Sequence, residues 1–123
     1  MGTKIVNGII GFNTDGLITQ LKGTGDWTVV RNQKGVYTVT FMDSVQFNDT
    51  PIVVLTEIYD GTSNNTDPSS ASDSGGKIGD VGTASGAVLV WITNTQFELA
   101  VGGGGGDQED RMLSFIAMGP ADD

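Results

Sequence analysis

The chain of 123 residues contains no cysteine and no histidine. Without cysteine it can form neither a disulfide nor a thiolate metal site, which fits synthesis in a reducing compartment. Without histidine it lacks the most common general base and the most common metal ligand of proteins. We therefore expect a protein that is not an enzyme, with no catalytic residues and no resident cofactor.

Basic residues are scarce, with six Lys and Arg against 15 Asp and Glu and a formal net charge of −9. No basic stripe is available to neutralise phosphates, so we expect no nucleic-acid partner. No apolar run is long enough for a membrane-spanning helix, and residues 1–12 lack the layout of a signal peptide. The expectation is a protein made in the cytoplasm without a signal peptide and not inserted into a membrane.

Strand signals dominate the chain. Residues 36–42 alternate between large apolar side chains (Tyr37, Val39 and Phe41) and threonines, and residues 96–101 repeat this alternation. A period of two in β-branched and aromatic residues is typical of a half-buried strand. No segment shows a sustained helical period.

Turn-forming segments separate these strands: Asn-Thr-Asp-Gly at 13–16, residues 32–35, and Asn94 with Thr95. The predicted strands cover residues 4–12, 17–21, 26–31, 36–42, 51–59, 88–93, 96–101 and 111–118. About eight strands at a spacing of roughly ten residues predict an all-β fold, an antiparallel and jelly-roll-like β-sandwich. We expect residues 1–123 to form one domain.

Three segments interrupt this pattern. Residues 60–86, rich in Ser, Asn, Gly and Asp, predict one long loop that is either functional or mobile. The five glycines at 102–106 predict a flexible hairpin loop, with a functional loop tip as the alternative. Residues 120–123 form an acidic tail.

Two predicted strands are apolar on both faces. In residues 51–59, Ile52 and Val54 alternate with Val53 and Leu55, and the segment 88–92 (VLVWI) is equally apolar. Because an antiparallel sandwich exposes one face of each sheet, such strands need a second cover. We expect a subunit interface, and the alternative is that the long loop folds over them. The predicted interface residues are Ile52, Val54, Leu55, Val88, Val90, Trp91 and Ile92.

Candidate ligand-binding residues are few. Asp107, Glu109 and Asp110 follow the glycine run and suggest Ca²⁺, which prefers oxygen ligands. The spacing of a calcium loop is missing, so solvated acids are the favoured interpretation and no metal is expected. Trp27 follows a Gly-Thr-Gly segment and could stack on a sugar from the rim of the sandwich, whereas Trp91 lies in the doubly apolar strand.

Several segments together resemble a known family. The chain reads NGIIGFNTDGLI, then GVYTVTF, PIVVL, TQFELAV and finally SFIAMG. This order resembles the β-domain appended to phage tail fibres and to bacterial collagen-like surface proteins, over nearly the whole chain except residues 60–86. The layout is also similar to H-type lectins, small sandwiches that assemble into trimers and hexamers to present sugar sites. No sugar-binding residues of that family can be matched.

The resemblance implies a role at a virion surface or outside the cell. We expect a homo-oligomeric structural protein, with a trimer favoured, that serves as a capsid decoration or tail-fibre tip and contacts other virion or surface proteins. No shaft, collagen repeat or coiled coil precedes the domain, which favours a free-standing virion component. The alternative is a lectin-like module that binds glycans. A hydrolytic enzyme is a third and poorer interpretation, because histidine and cysteine are missing.

Overall fold

The structure is a computed structural model that describes residues 2–58, 64, 86–103 and 107–122. In this part of the chain all regular structure is β-strand, and about eight strands were predicted. The strands are β1 (Gly2–Phe12), β2 (Ile18–Gly23), β3 (Trp27–Gln33), β4 (Val36–Phe41), β5 (Ile52–Glu57), β6 (Gly86–Ile92), β7 (Gln96–Gly102) and β8 (Leu113–Ala121). The predicted loop over 60–86, apart from Asn64 and Gly86, and the centre of the glycine run lie outside the described residues.

The strands form two four-stranded antiparallel sheets. Sheet A has the order β2-β1-β8-β5 and sheet B the order β3-β4-β7-β6, which confirms the predicted antiparallel β-sandwich. The chain passes between the sheets after β2, β4, β5 and β7. The edge strands β5 and β6 adjoin each other along one side of the sandwich, and β2 and β3 adjoin along the other.

The turn after β1 forms where the Asn-Thr-Asp-Gly segment predicts it. The Asn13 side-chain oxygen accepts hydrogen bonds from the backbone N–H groups of Asp15 (2.8 Å) and Leu17 (3.0 Å). Gly16 has a φ of 78°, a conformation that glycine adopts without steric cost. The side chain of Asn13 therefore replaces backbone partners and closes the turn.

The core lies between the two sheets and is apolar throughout the described residues. The predicted alternation is confirmed, because Tyr37, Val39 and Phe41 on β4 are buried. Aromatic rings cross from one sheet to the other: Trp27 on β3 meets Phe115 on β8 edge to face, with ring centroids 4.9 Å apart. Such contacts add to the burial energy of the rings, so they hold the two sheets in register.

The described residues contain no helix of the length and apolarity that a membrane span requires.

Candidate self-association surface

The outer face of sheet A exposes a patch of aliphatic side chains. Five residues on its strands β1, β5 and β8 are 43 to 69% exposed, although each is large and apolar. They are Ile5, Ile52, Val54, Ile116 and Met118, and we call them the aliphatic patch. Single exposed apolar residues are ordinary on a monomer, but a contiguous group is typical of an interaction surface.

Strand register makes this patch contiguous. Met118 on β8 lies opposite Ile5 on β1 and opposite Ile52 on β5, so these three side chains form one row across the sheet. In the next row Ile116 lies opposite Val54. Directly opposite residues on one face have Cβ atoms about 5 Å apart, so each row is a continuous band.

The patch is free of charge. The outward positions of β1, β5 and β8 alternate with the buried ones and carry Ile, Val, Met, Thr, Asn, Ser or Pro. Ile9 on β1 lies between Ser114 on β8 and Lys22 on β2, so a charged side chain first appears in this row on β2. A chain with a net charge of −9 therefore leaves an uncharged surface across three strands of sheet A.

A second apolar surface lies on the outer face of sheet B. Val88, Val90 and Trp91 on β6 are 64%, 51% and 39% exposed, and we call them the β6 strip. The register of β6 with β7 shifts between Leu89 and Trp91, so β6 has one extra residue there. A β-bulge of this kind interrupts strict alternation, and here it leaves the consecutive residues Val90 and Trp91 both exposed.

The structure places the predicted interface residues on two different outer faces, and two of them face the core instead. Ile52 and Val54 belong to the aliphatic patch, and the β6 residues form a separate strip. Leu55 and Ile92 face the other way and pack against the core. Alternation in β1 and β8 predicts Ile5, Ile116 and Met118 as outward-facing, and it could have identified these members of the patch from the sequence.

Asp110 is held by structural contacts. Its carboxylate accepts hydrogen bonds from the Nε of Arg31 (2.9 Å), the backbone N–H of Gly35 (2.8 Å) and the hydroxyl of Tyr37 (3.1 Å). The Tyr37 hydroxyl in turn accepts the backbone N–H of Arg111 at 3.1 Å. This network ties the segment before β8 to the hairpin between β3 and β4.

These contacts decide the ionisation of Asp110. Partial burial alone would raise its pKa, but the hydrogen bonds from Gly35, Arg31 and Tyr37 and the charge of Arg31 outweigh burial. The pKa of Asp110 is therefore lowered from its usual value of 3.8. Burial raises the pKa of Tyr37 well above its ordinary value, so this residue stays a neutral donor.

The neighbouring acids do not join Asp110 in a metal site. Glu109 forms an ion pair with Lys34 at 3.4 Å, and Asp107 is exposed. Among the described residues no group of three or more acidic side chains is placed to hold a metal ion. The calcium alternative thus gains no geometric support from Asp107, Glu109 and Asp110.

The expectation that Trp27 lies at a rim is wrong. Its side chain is 0% exposed, and its ring Nε1 donates a hydrogen bond to the backbone oxygen of Asn7 at 3.0 Å. A Cβ atom at Gly8 would collide with the ring, so this glycine makes room for it. Trp27 and Val29 share the inward face of β3, so strand alternation predicts that Trp27 is buried. The Gly-Thr-Gly segment before it had suggested a rim position instead. The ring presents no face to a sugar.

Among the described residues, Glu57 has a buried carboxylate oxygen without a hydrogen-bond partner. Its Oε1 atom is inaccessible to solvent and has no hydrogen-bond partner among the described residues, although the residue as a whole is partly exposed. Loss of solvation raises the pKa of Glu57, and the charge of Arg111 offsets part of that rise. A single desolvated carboxyl is not a hydrolytic pair, which requires a second acid facing it.

Two open grooves adjoin the apolar surfaces. One, of about 330 Å³, lies on sheet A beside the aliphatic patch and is lined by Asn7, Ile9, Lys22, Ser114 and Ile116 among others. The other, of about 380 Å³, lies beside Val88 and is lined by Ala100, Gly103 and Asp107 among others. Among the described residues no hydrogen bond joins Ser114 to Lys22, which both line the first groove, and the two grooves serve only as a description of surface shape.

The geometry defines an antiparallel β-sandwich with apolar surface on both outer faces. No protein-family model, no curated protein and no solved structure matches the chain.

Proposed function

We propose that this chain is a non-enzymatic structural protein of a virion surface, a capsid decoration or tail-fibre tip subunit, that assembles with copies of itself and mediates attachment. The observation that carries the self-assembly is the aliphatic patch, an uncharged apolar area across three strands of sheet A. The placement on a virion rests on the resemblance of the sequence to the β-domain of phage tail fibres. A homotrimer is the assembly that this resemblance favours.

Self-assembly predicts that thermal stability depends on concentration. Association stabilises the folded state by mass action, so the melting temperature rises with total protein when the folded form is an oligomer. We expect the midpoint, measured by circular dichroism, to fall on dilution from about 100 μM to below 1 μM. A midpoint that does not move over this range contradicts self-assembly.

The virion role requires a different measurement. Purified particles from a culture that expresses this chain are analysed by quantitative mass spectrometry. We expect its peptides at a fixed stoichiometry relative to the major capsid protein, because a decoration or fibre-tip subunit occupies defined positions. Expression of the chain in infected cells without its presence on the particle contradicts the proposal.

A glycan-binding module is the second candidate, and the observation in its favour is that Trp91, on the outer face of sheet B, is 39% exposed. Exposed aromatic rings stack on ligands, and Trp27 is unable to do so because it is buried. A glycan array probed with the wild-type chain and with Trp91→Ala tests this function. Binding that disappears in the variant supports it, and no binding at any glycan contradicts it.

A further inference from the structure

The segment 107–111, between the glycine run and β8, lies against the hairpin that joins β3 to β4, and we call it the strap. Four successive residues of the strap each bind this hairpin. The contacts are Gln108 with Gln33, Glu109 with Lys34, Asp110 with Arg31, Gly35 and Tyr37, and Arg111 with Tyr37. The hairpin is thus the surface that holds the strap in place.

The strap lies directly on the turn of the hairpin. Gly35 has a φ of 73°, and a Cβ atom there would lie 2.7 Å from the backbone nitrogen of Glu109. Next to this turn the Tyr37 side chain is 0% exposed, and its hydroxyl contacts both Asp110 and Arg111. The strap therefore covers the hydroxyl end of Tyr37 at one end of the sandwich.

Charged side chains are concentrated at this end. Three of the six Lys and Arg residues of the chain lie here, two on the hairpin and one on the strap: Arg31, Lys34 and Arg111. The acids around them among the described residues are Asp107, Glu109 and Asp110 on the strap, Glu57 at the end of β5, and Glu98 on β7, which Asn32 binds. At neutral pH the acids outnumber the bases, so the acidic strap is attracted to the basic hairpin.

Acid changes only one side of this balance. Carboxylates are neutral well below about pH 3, whereas Lys and Arg keep their charges. The raised pKa of Glu57 makes it neutral early as the pH falls, and the lowered pKa of Asp110 keeps the latter charged to a lower pH. Once both are neutral, Arg111 on the strap faces the like charges of Arg31 and Lys34 without nearby carboxylates to offset them.

We propose that the strap is an acid-released latch, which leaves the hairpin when Glu109 and Asp110 are protonated while the two sheets stay folded. The sheets are held by a core that is apolar throughout the described residues, so protonation changes nothing inside it. Release uncovers the hydroxyl end of Tyr37 and creates a new surface at this end of the sandwich. The strap shares no residue with the aliphatic patch or the β6 strip, so the latch does not depend on the proposed self-assembly.

Hydrogen exchange of single amides, followed by NMR at about pH 6 and about pH 2.5, tests the latch in the wild-type chain. The reporters are three N–H groups that donate across the strap contact or from the strap: Gly35 to Asp110, Arg111 to Tyr37, and Glu109 to Val101. The control is the N–H of Val101, which donates to the backbone oxygen of Gly35 at 2.8 Å at the same end without a strap atom.

At the lower pH we expect the protection factors of the three reporters to fall by about tenfold or more, because the charged contacts that hold the strap are lost. The protection factor of Val101 should stay as it is at pH 6, or about that pH. If Val101 and the reporters lose protection together, the whole sandwich unfolds and there is no separate latch. If the reporters keep their protection, acid does not release the strap.

Asp110→Asn tests the residue that makes the latch. The amide keeps the size of the side chain but cannot carry its charge, so we expect the reporters to lose protection already at about pH 6 while Val101 keeps it. Asp107→Asn is the matched control, since Asp107 is an exposed acid of the same strap, and it should leave all four amides unchanged. If the two variants exchange alike, Asp110 does not hold the strap and the inference is wrong. Should circular dichroism show that Asp110→Asn is unfolded, the comparison of the wild type at the two pH values decides.

Discussion

Asp110 and Glu57 are acidic residues whose surroundings act on them in opposite directions. Three hydrogen bonds, of which the one from Arg31 is also an ion pair, favour the charged form of Asp110. Glu57 instead loses solvation, and one of its oxygens has no partner among the described residues. The first carboxylate should therefore stabilise the fold at neutral pH, whereas the second should destabilise it.

Replacement of Asp110 by Ala should destabilise the fold by about 1.5–3 kcal/mol at pH 7, because it leaves partly buried donors of Gly35 and Tyr37 without their acceptor. The folded-state pKa of Asp110 lies below the unfolded value, so its contribution is present above pH 3.8. That contribution is lost as the pH falls through the folded-state pKa. Denaturant unfolding across this range measures both effects.

Asp107→Ala is the matched control, since Asp107 is an exposed acid in the same segment. It should change the free energy of unfolding by less than about 0.5 kcal/mol. An Asp110→Ala variant as stable as Asp107→Ala at pH 7 contradicts the role assigned to the Asp110 network.

Glu57→Gln should stabilise the fold at pH 7. The pKa of Glu57 is raised from 4.5 in the folded state, so the folded chain binds a proton more readily and loses stability as the pH rises past 4.5. The neutral amide removes this loss, and the expected gain is below about 1 kcal/mol because the residue is partly exposed. At pH 3 the variant and the wild type should unfold at similar denaturant concentrations. A destabilised variant at pH 7 contradicts this account.

Gly8→Ala tests the space that Trp27 occupies. A Cβ at position 8 collides with the buried indole, so we expect a loss of about 1–3 kcal/mol in the free energy of unfolding. Gly86→Ala is the control, because a Cβ there meets nothing within 4 Å. Equal effects of the two substitutions would show that the Trp27 ring is not packed against Gly8.

At the scale of the strand, alternation predicted most of what the structure contains. In β4 and β7 the large apolar side chains at alternating positions lie inward, because a pleated strand sends successive residues to opposite faces; they are Tyr37, Val39, Phe41, Phe97, Leu99 and Val101. The Asn-Thr-Asp-Gly turn could also be predicted from the sequence, because the Asn13 side chain stabilises it by hydrogen bonds to residues two and four positions later. In these segments local chemistry and the tertiary fold require the same structure.

What alternation missed depends on contacts between distant strands. The bulge in β6 moves Trp91 to the outer face, and it is defined by the pairing of β6 with β7 rather than by the residues of β6 alone. The aliphatic patch combines Ile5 with Ile116 and Ile52, which are far apart in sequence and meet only through the strand order of sheet A. The network of Asp110 likewise spans residues 31 to 110.

The β6 strip predicts a measurable difference between the two tryptophans. Trp27 is buried in the core, whereas Trp91 is 39% exposed on a single copy, and we propose that self-association covers it. We expect acrylamide to quench little of the tryptophan fluorescence at high protein concentration and to quench the Trp91 component after dilution. In Ile116→Glu that component should be quenched at every concentration. If the quenching of Trp91 changes neither on dilution nor in this variant, self-association does not cover Trp91.

At the scale of the whole molecule, charged side chains are kept off one broad face of an acidic chain. The outward positions of β1, β5 and β8 are uncharged, and the apolar residues among them form continuous rows. A monomer gains nothing from such a face, because exposed aliphatic surface costs free energy in water. The self-assembly that we propose would cover this face with a second copy.

The mass of the wild-type assembly tests this account most directly. Light scattering coupled to size exclusion at micromolar concentration should give about three times the chain mass of 12.8 kDa, as expected for the proposed homotrimer. A mass of 12.8 kDa at every concentration would contradict the account, because the aliphatic patch would then remain exposed on a stable monomer.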